Sequence, residues 1–171
     1  RTQSEKLKRN VGRREQLLPT FPDKRKRKMP GANLTRVEAE ARASIISNLK
    51  YAAHLDVTMG YTDFRSVTTI EFDAIAGKST FIDLIANTVN SIEFNGEKLD
   101  PATTYRDNRI ELSGLKEHNI VTVDALVQYS HTGEGMHRSI DPTDGNVYLY
   151  TQFEVPDARR VYAVFDQPDL K

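Results

Sequence analysis

The residues best placed to do chemistry lie near the end of the chain. Along 147–155 the side chains alternate. Tyr148, Tyr150, Gln152 and Glu154 point to one face, and Val147, Leu149, Phe153 and Val155, with Thr151 among them, to the other. The second face reads as core. The first is a row of two phenols, an amide and a carboxylate. Gln152 and Glu154 stand two apart, so they project side by side. An amide oxygen next to a carboxylate suits a primary ammonium group, whose N–H donors then meet acceptors, one of them charged. The same alternation also fits an ordinary solvent-facing strand. The two tyrosines would equally suit a stacking platform in a non-catalytic carbohydrate-binding module.

Other chemistries lack their residues. The sequence contains no cysteine, which excludes thiol catalysis, disulfides and cysteine-ligated metals, and fits a reducing, cytoplasmic setting. Gly77-Lys78-Ser79-Thr80 looks like the end of a phosphate-binding loop. That loop needs a glycine five positions before Gly77, where the chain has Phe72, and a helix after it, where a strand is expected. A hairpin turn is predicted instead. His54, His118, His131 and His137 include no His-Glu-x-x-His pair; His131 and His137 are read as solvated loop residues. No Gly-x-Ser-x-Gly occurs, so nucleophilic hydrolysis has no candidate.

The elements that must position Gln152 and Glu154 are mostly strands. Thr35-Arg36-Val37-Glu38 is a capping box, and Val37, Ala41 and Ile45 fall on one helical face, predicting a short helix from about Thr35 to Ile46. Period-two patterns follow at 51–58, 64–73, 80–84, 88–94, 109–112, 120–129 and 147–155. Asn95-Gly96 marks a two-residue hairpin. About eight short strands separated by turns predict an all-β fold: an antiparallel sandwich or saddle-shaped open structure with one short N-terminal helix. Asp157 is placed to cap a helical turn after Pro156. Arg159, Arg160, Asp166 and Asp169 are expected to form an ion-pair cluster holding the 152–154 strand.

The 171 residues carry no formal net charge, but the balance is uneven. Residues 1–28 hold eleven basic and three acidic groups, leaving thirteen of the 24 basic and 21 of the 24 acidic groups to the remainder. The body is therefore acidic, the reverse of a nucleic-acid-binding face. No stretch approaches ~18 consecutive apolar residues, so no membrane-spanning helix is expected. The basic run Lys24–Lys28 reads as a solvated extension whose charges repel one another. Met29-Pro30-Gly31 opens the patterned region. The expected division is a basic, disordered or spurious extension over 1–28 and an incomplete β-domain over 29–171.

Three motifs in order carry a family likeness. These are Tyr129-Ser130-His131-Thr132-Gly133-Glu134-Gly135-Met136-His137, Tyr148-Leu149-Tyr150-Thr151-Gln152-Phe153-Glu154, and Ala158-Arg159-Arg160 with Phe165-Asp166-Gln167-Pro168-Asp169-Leu170-Lys171. Together they resemble the N-terminal domain of the aminopeptidase N family, zinc metallopeptidases of the gluzincin type, in particular its actinobacterial members. The likeness runs from about Met29 onward, and residues 1–28 have no counterpart in it. It implies a saddle-shaped β-domain lying against a catalytic domain that carries zinc. It also implies that Glu154 binds the free α-amino group of a peptide and that Gln152 helps position the peptide's first residue. The His-Glu-x-x-His helix, the Gly-x-Met-Glu-Asn segment and the catalytic tyrosine do not occur in the 171 residues. The zinc ligands and the rest of the enzyme are therefore expected outside this chain, which alone should bind no metal and be inactive.

Overall fold

In a computed structural model, residues 33–154 and 156–170 are described. The expectations for residues 1–28 and for Val155 lie outside the described residues. The described chain begins at helix α1 (Arg36–Ala43), set by the capping box: the Thr35 hydroxyl accepts from the Glu38 amide at 3.3 Å, and the Thr35 amide donates to the Glu38 carboxylate at 2.9 Å. The helix is shorter than the sequence predicts, and its buried side is not the expected one. Val37 is 76% exposed and Ala41 is exposed, while Arg42 is buried. A helix this short is oriented by its strongest tertiary contact, and here that is the Arg42 guanidinium.

Ten strands follow. β1 (Ile46–Asp56), β2 (Asp63–Ala74), β4 (Thr88–Phe94), β5 (Glu97–Leu99) and β8 (His118–Gln128) form an antiparallel five-stranded sheet in the order β1-β2-β8-β4-β5. β3 (Thr80–Asp83), β6 (Tyr105–Arg106) and β7 (Arg109–Leu112) form a second sheet in the order β3-β7-β6. β9 (Gly135–Ile140) and β10 (Val147–Gln152) make a separate two-stranded ribbon. A one-turn helix, α2 (Pro101–Thr104), starts on the Asp100 side chain. The fold is thus all-β and antiparallel, as the alternation predicts. Asn95 and Gly96 sit at φ +52° and +85° in the β4–β5 hairpin, the geometry that dipeptide favours.

The core lies where the large sheet faces the small one. Phe64, Ile70 and Phe72 from β2 and Val121, Val123 and Val127 from β8 meet Ile82, Ile110 and Leu112, all at most 2% exposed. Gly77 lies in a turn with Ala76, but this turn carries the chain from β2 in one sheet to β3 in the other, so it is not a hairpin. A strand follows it, which leaves no helix N-terminus for a phosphate.

The last segment is tied back over the sheets. Val164 pairs with Asp83 through backbone bonds of 2.9 and 3.0 Å, and Phe165 packs edge-on against Phe72 at 5.2 Å. The Arg109 guanidinium grips both carboxylate oxygens of Glu38 at 2.7 and 3.3 Å, joining β7 to α1. That grip, helped by the Thr35 groups, holds the Glu38 carboxyl down to about 2. A folded pKa below the unfolded value contributes stability that is complete above the unfolded pKa and is lost as pH falls through the folded one. The domain should therefore lose this contribution between an ordinary carboxylate pKa of ~4.3 and about 2. Denaturant titrations over that range should show a steeper loss for the parent than for Glu38→Gln.

Candidate amine-binding site

The predicted pair stands at the free end of the ribbon. β9 and β10 are joined by a turn at residues 141–146, and their register places Gln152 opposite Gly135. Regular pairing ends at Gln152, so Glu154 lies just beyond the strand. The two side chains meet. The Gln152 amide nitrogen donates to the Glu154 carboxylate at 3.3 Å, and the Gln152 amide oxygen accepts the Glu154 backbone N–H. Gln152 thus orients the carboxylate more than it presents a free acceptor beside it. One carboxylate oxygen of Glu154 remains free of this contact.

Gln152 and Glu154 line an open cleft of about 480 Å³ with Thr132, Gly133, Glu134 and Asp157. Of its three carboxylates, Asp157 is paired with Arg160, whose Nε donates to it at 2.7 Å. The Glu134 carboxyl is lowered, first by the Thr132 hydroxyl. The cleft therefore offers negative charge and hydrogen-bond acceptors to a cation. Sequence reasoning assigned Thr132, Glu134 and Asp157 no part in the amine site. The available signal was Gly133-Glu134-Gly135, two glycines at φ +103° and +65° that shape the loop beside the strand. A larger cleft, about 780 Å³, lies elsewhere, at the bulge in β1 near Asn48, Asp73 and His118. There Asp73 is already engaged by the Asn48 amide at 2.7 Å and by the His118 ring, and it supports Asn48 at φ +54°.

The face of β10 read as core is not covered. Val147, Leu149 and Phe153 are 47%, 37% and 38% exposed, and the Tyr148 row is exposed as well. Alternation separates two faces but does not say that either one is packed against anything. Phe153 meets the Tyr162 ring edge-on at 5.7 Å. An aromatic pair of this kind contributes ~0.5–1.5 kcal/mol. Phe153→Ala should cost about that much in denaturant unfolding, well short of the ~3–5 kcal/mol expected of a buried phenylalanine.

The remaining sequence candidates are rearranged too. Asp157 stands at the N-cap of a 3-10 turn (Ala158–Arg160), but its carboxylate takes Arg160 and not a backbone N–H. The four residues expected to pair do not form one cluster. Arg159 donates its backbone N–H to Asp166 and its guanidinium to the Pro156 carbonyl and Asn33, and Asp169 accepts from Gln167. Burial pushes the Asp166 carboxyl up. His131 is an exposed loop residue as expected, but His137 is not. The His131 ring contacts the Arg138 carbonyl at 3.0 Å, and His137 lies on β9, half-buried, with its ring stacked on Tyr150 at 4.7 Å. That stacking occupies one face of Tyr150, and the Tyr148 hydroxyl is tied to Asp144 at 2.9 Å.

The described side chains offer zinc no ligand set. Among the described residues no three of the types His, Cys, Asp and Glu are grouped to hold a metal ion. The described residues include no helix long and apolar enough to cross a membrane.

No family model matches the chain. It is 52% identical over 147 residues to aminopeptidase N of Streptomyces lividans, a match that takes in 84% of this chain and 17% of that protein's length. In structure it is similar to native leukotriene A4 hydrolase of Saccharomyces cerevisiae, with a TM-score of 0.60 at 13% identity, covering 86% of this chain and 24% of that one. At such low identity the second likeness speaks for the fold alone.

Proposed function

Taking as premise that the chain belongs to the aminopeptidase N family, to which its 52% identity assigns it, we propose that it is the part of a zinc-dependent aminopeptidase that recognises the free α-amino group of a peptide. Glu154 is the anionic acceptor. Gln152 donates its amide to that carboxylate and holds it in place. The observation that carries this reading is the Gln152–Glu154 contact on a cleft lined by three carboxylates, of which only Asp157 is engaged by an arginine, Arg160. An incoming ammonium meets free carboxylate there.

The role of these residues is to bind and orient. With its amine fixed, a peptide presents its first peptide bond at a set distance from the cleft, and positioning of that kind contributes much of an enzyme's rate. Zinc, when bound by the complete enzyme, would supply Lewis-acid activation, and the described residues of this chain do not fit it. Hydrolysis is therefore assigned to the remainder of a longer polypeptide. The uncovered apolar groups of the ribbon (Val147, Leu149, Phe153 and Ile140) supply a surface of the kind that packs against that remainder. The reading is tested by peptide-hydrolysis kinetics of the complete enzyme with Glu154 replaced.

A further inference from the structure

We propose that Gly135 and Arg160 are positioning residues for the amine site, closing a clamp that sets where the Gln152–Glu154 pair stands; this rests on the reading given above. Gln152 is fixed by its pairing with Gly135 across the ribbon. Gly135 sits at φ +65°, and a Cβ built there would lie 2.8 Å from the Arg160 Cβ and 3.5 Å from the Arg160 carbonyl oxygen. The ribbon and the 3-10 turn therefore touch at backbone range, closer than any side chain at 135 allows. Arg160 in turn holds Asp157 through its Nε at 2.7 Å and through its backbone N–H to the Asp157 carbonyl at 3.1 Å. The Asp157 N–H donates to the Glu154 carbonyl at 3.1 Å, and the Glu154 carboxylate returns to Gln152. The contacts form a ring with the acceptor pair on it.

A side chain at 135 must push Arg160 away, and the motion passes through Asp157 to Glu154. The strained φ adds to the push, because L-residues rarely adopt it. A misplacement of about 1 Å can lower an enzymatic rate on the order of 100-fold. The effect should travel through Glu154, which separates positioning from general loss of structure.

The test is a double-mutant comparison in the complete enzyme, read as kcat/KM on a peptide with a free amino terminus. Gly135→Ala should lower kcat/KM by about 10- to 100-fold in the parent and by less than about threefold where Glu154 is already alanine. Arg160→Ala keeps the Cβ and removes the ion pair. It should show the same pattern at roughly 3- to 10-fold, and it decides the matter if Gly135→Ala does not fold. Equal losses in both backgrounds would assign the two residues to structure alone and overturn the inference, while leaving the role of Glu154 intact. Parent activity in Gly135→Ala and Arg160→Ala would also overturn it. Parent activity in Glu154→Ala by itself would remove the amine reading and the clamp with it.

Discussion

Glu154→Ala should lower kcat/KM of the complete aminopeptidase roughly 10- to 150-fold on peptides with a free amino terminus. The figure follows from what the carboxylate does. In the proposed role it meets a substrate ammonium, and hydrogen bonds to charged groups contribute about 1.5–3 kcal/mol. At ~1.4 kcal/mol per factor of ten, that span gives the range stated. Gln152→Ala should cost less, about 0.5–1.5 kcal/mol, because it removes a neutral group. Its effect arises largely through the carboxylate it orients, since its amide spans both the Glu154 side chain and the Glu154 backbone N–H. The two losses should therefore be less than additive in the double variant. Neither residue touches the core, so unfolding temperatures should stay near the parent's. If Glu154→Ala retained parent kcat/KM, the cleft would not be the amine site.

The strands, and the adjacency of Gln152 and Glu154, were legible in the sequence for one reason: period-two alternation is local. β2 and β8 bury Phe64, Ile70, Phe72, Val121 and Val123 as their spacing demands. What covers a face is not local. Val147, Leu149 and Phe153 alternate like core residues and remain exposed, because no element among the described residues lies over the ribbon. Strand β9 was missed because Gly135, His137 and Arg138 do not read as a strand pattern, although its pairing with β10 is regular over six positions. The helix was misread for a related reason. Its apolar face, Val37 and Ala41, points to solvent, and a charged residue is the one that packs. Arg160 and Gly135 carry no pattern of their own. Their contact exists only once the ribbon and the 3-10 turn are folded together.

The buried Arg42 is also where the largest loss of stability should appear. Its Nη1 meets the Asp83 carboxylate at 2.7 Å, with side-chain exposures of 1% and 3%. Its Nε donates to Gln167 at 2.6 Å, and its guanidinium lies over Phe81 and near Phe165, at 4.7 and 5.6 Å from the ring centroids. Asp83 also accepts the Asp166 N–H at 3.3 Å. One ion pair thus joins α1, β3 and the final segment. Taking both charges out of water costs most of what their attraction returns, so the pair's net contribution is modest. Removing one partner is different, because the other charge stays buried without compensation. Asp83→Ala should cost about 3–5 kcal/mol, a fall in Tm on the order of 10 °C for a domain of this size. Replacing both residues with apolar ones, as Arg42→Met with Asp83→Leu, should recover part of the loss. It cannot recover all of it, since the Asp166 N–H and the Gln167 amide would then lack their partners. Thermal and denaturant unfolding of the two variants would decide the point. A single variant losing less than about 1 kcal/mol would mean that water reaches the guanidinium, and that the last segment is held by Phe165 packing and the Val164 pairing instead.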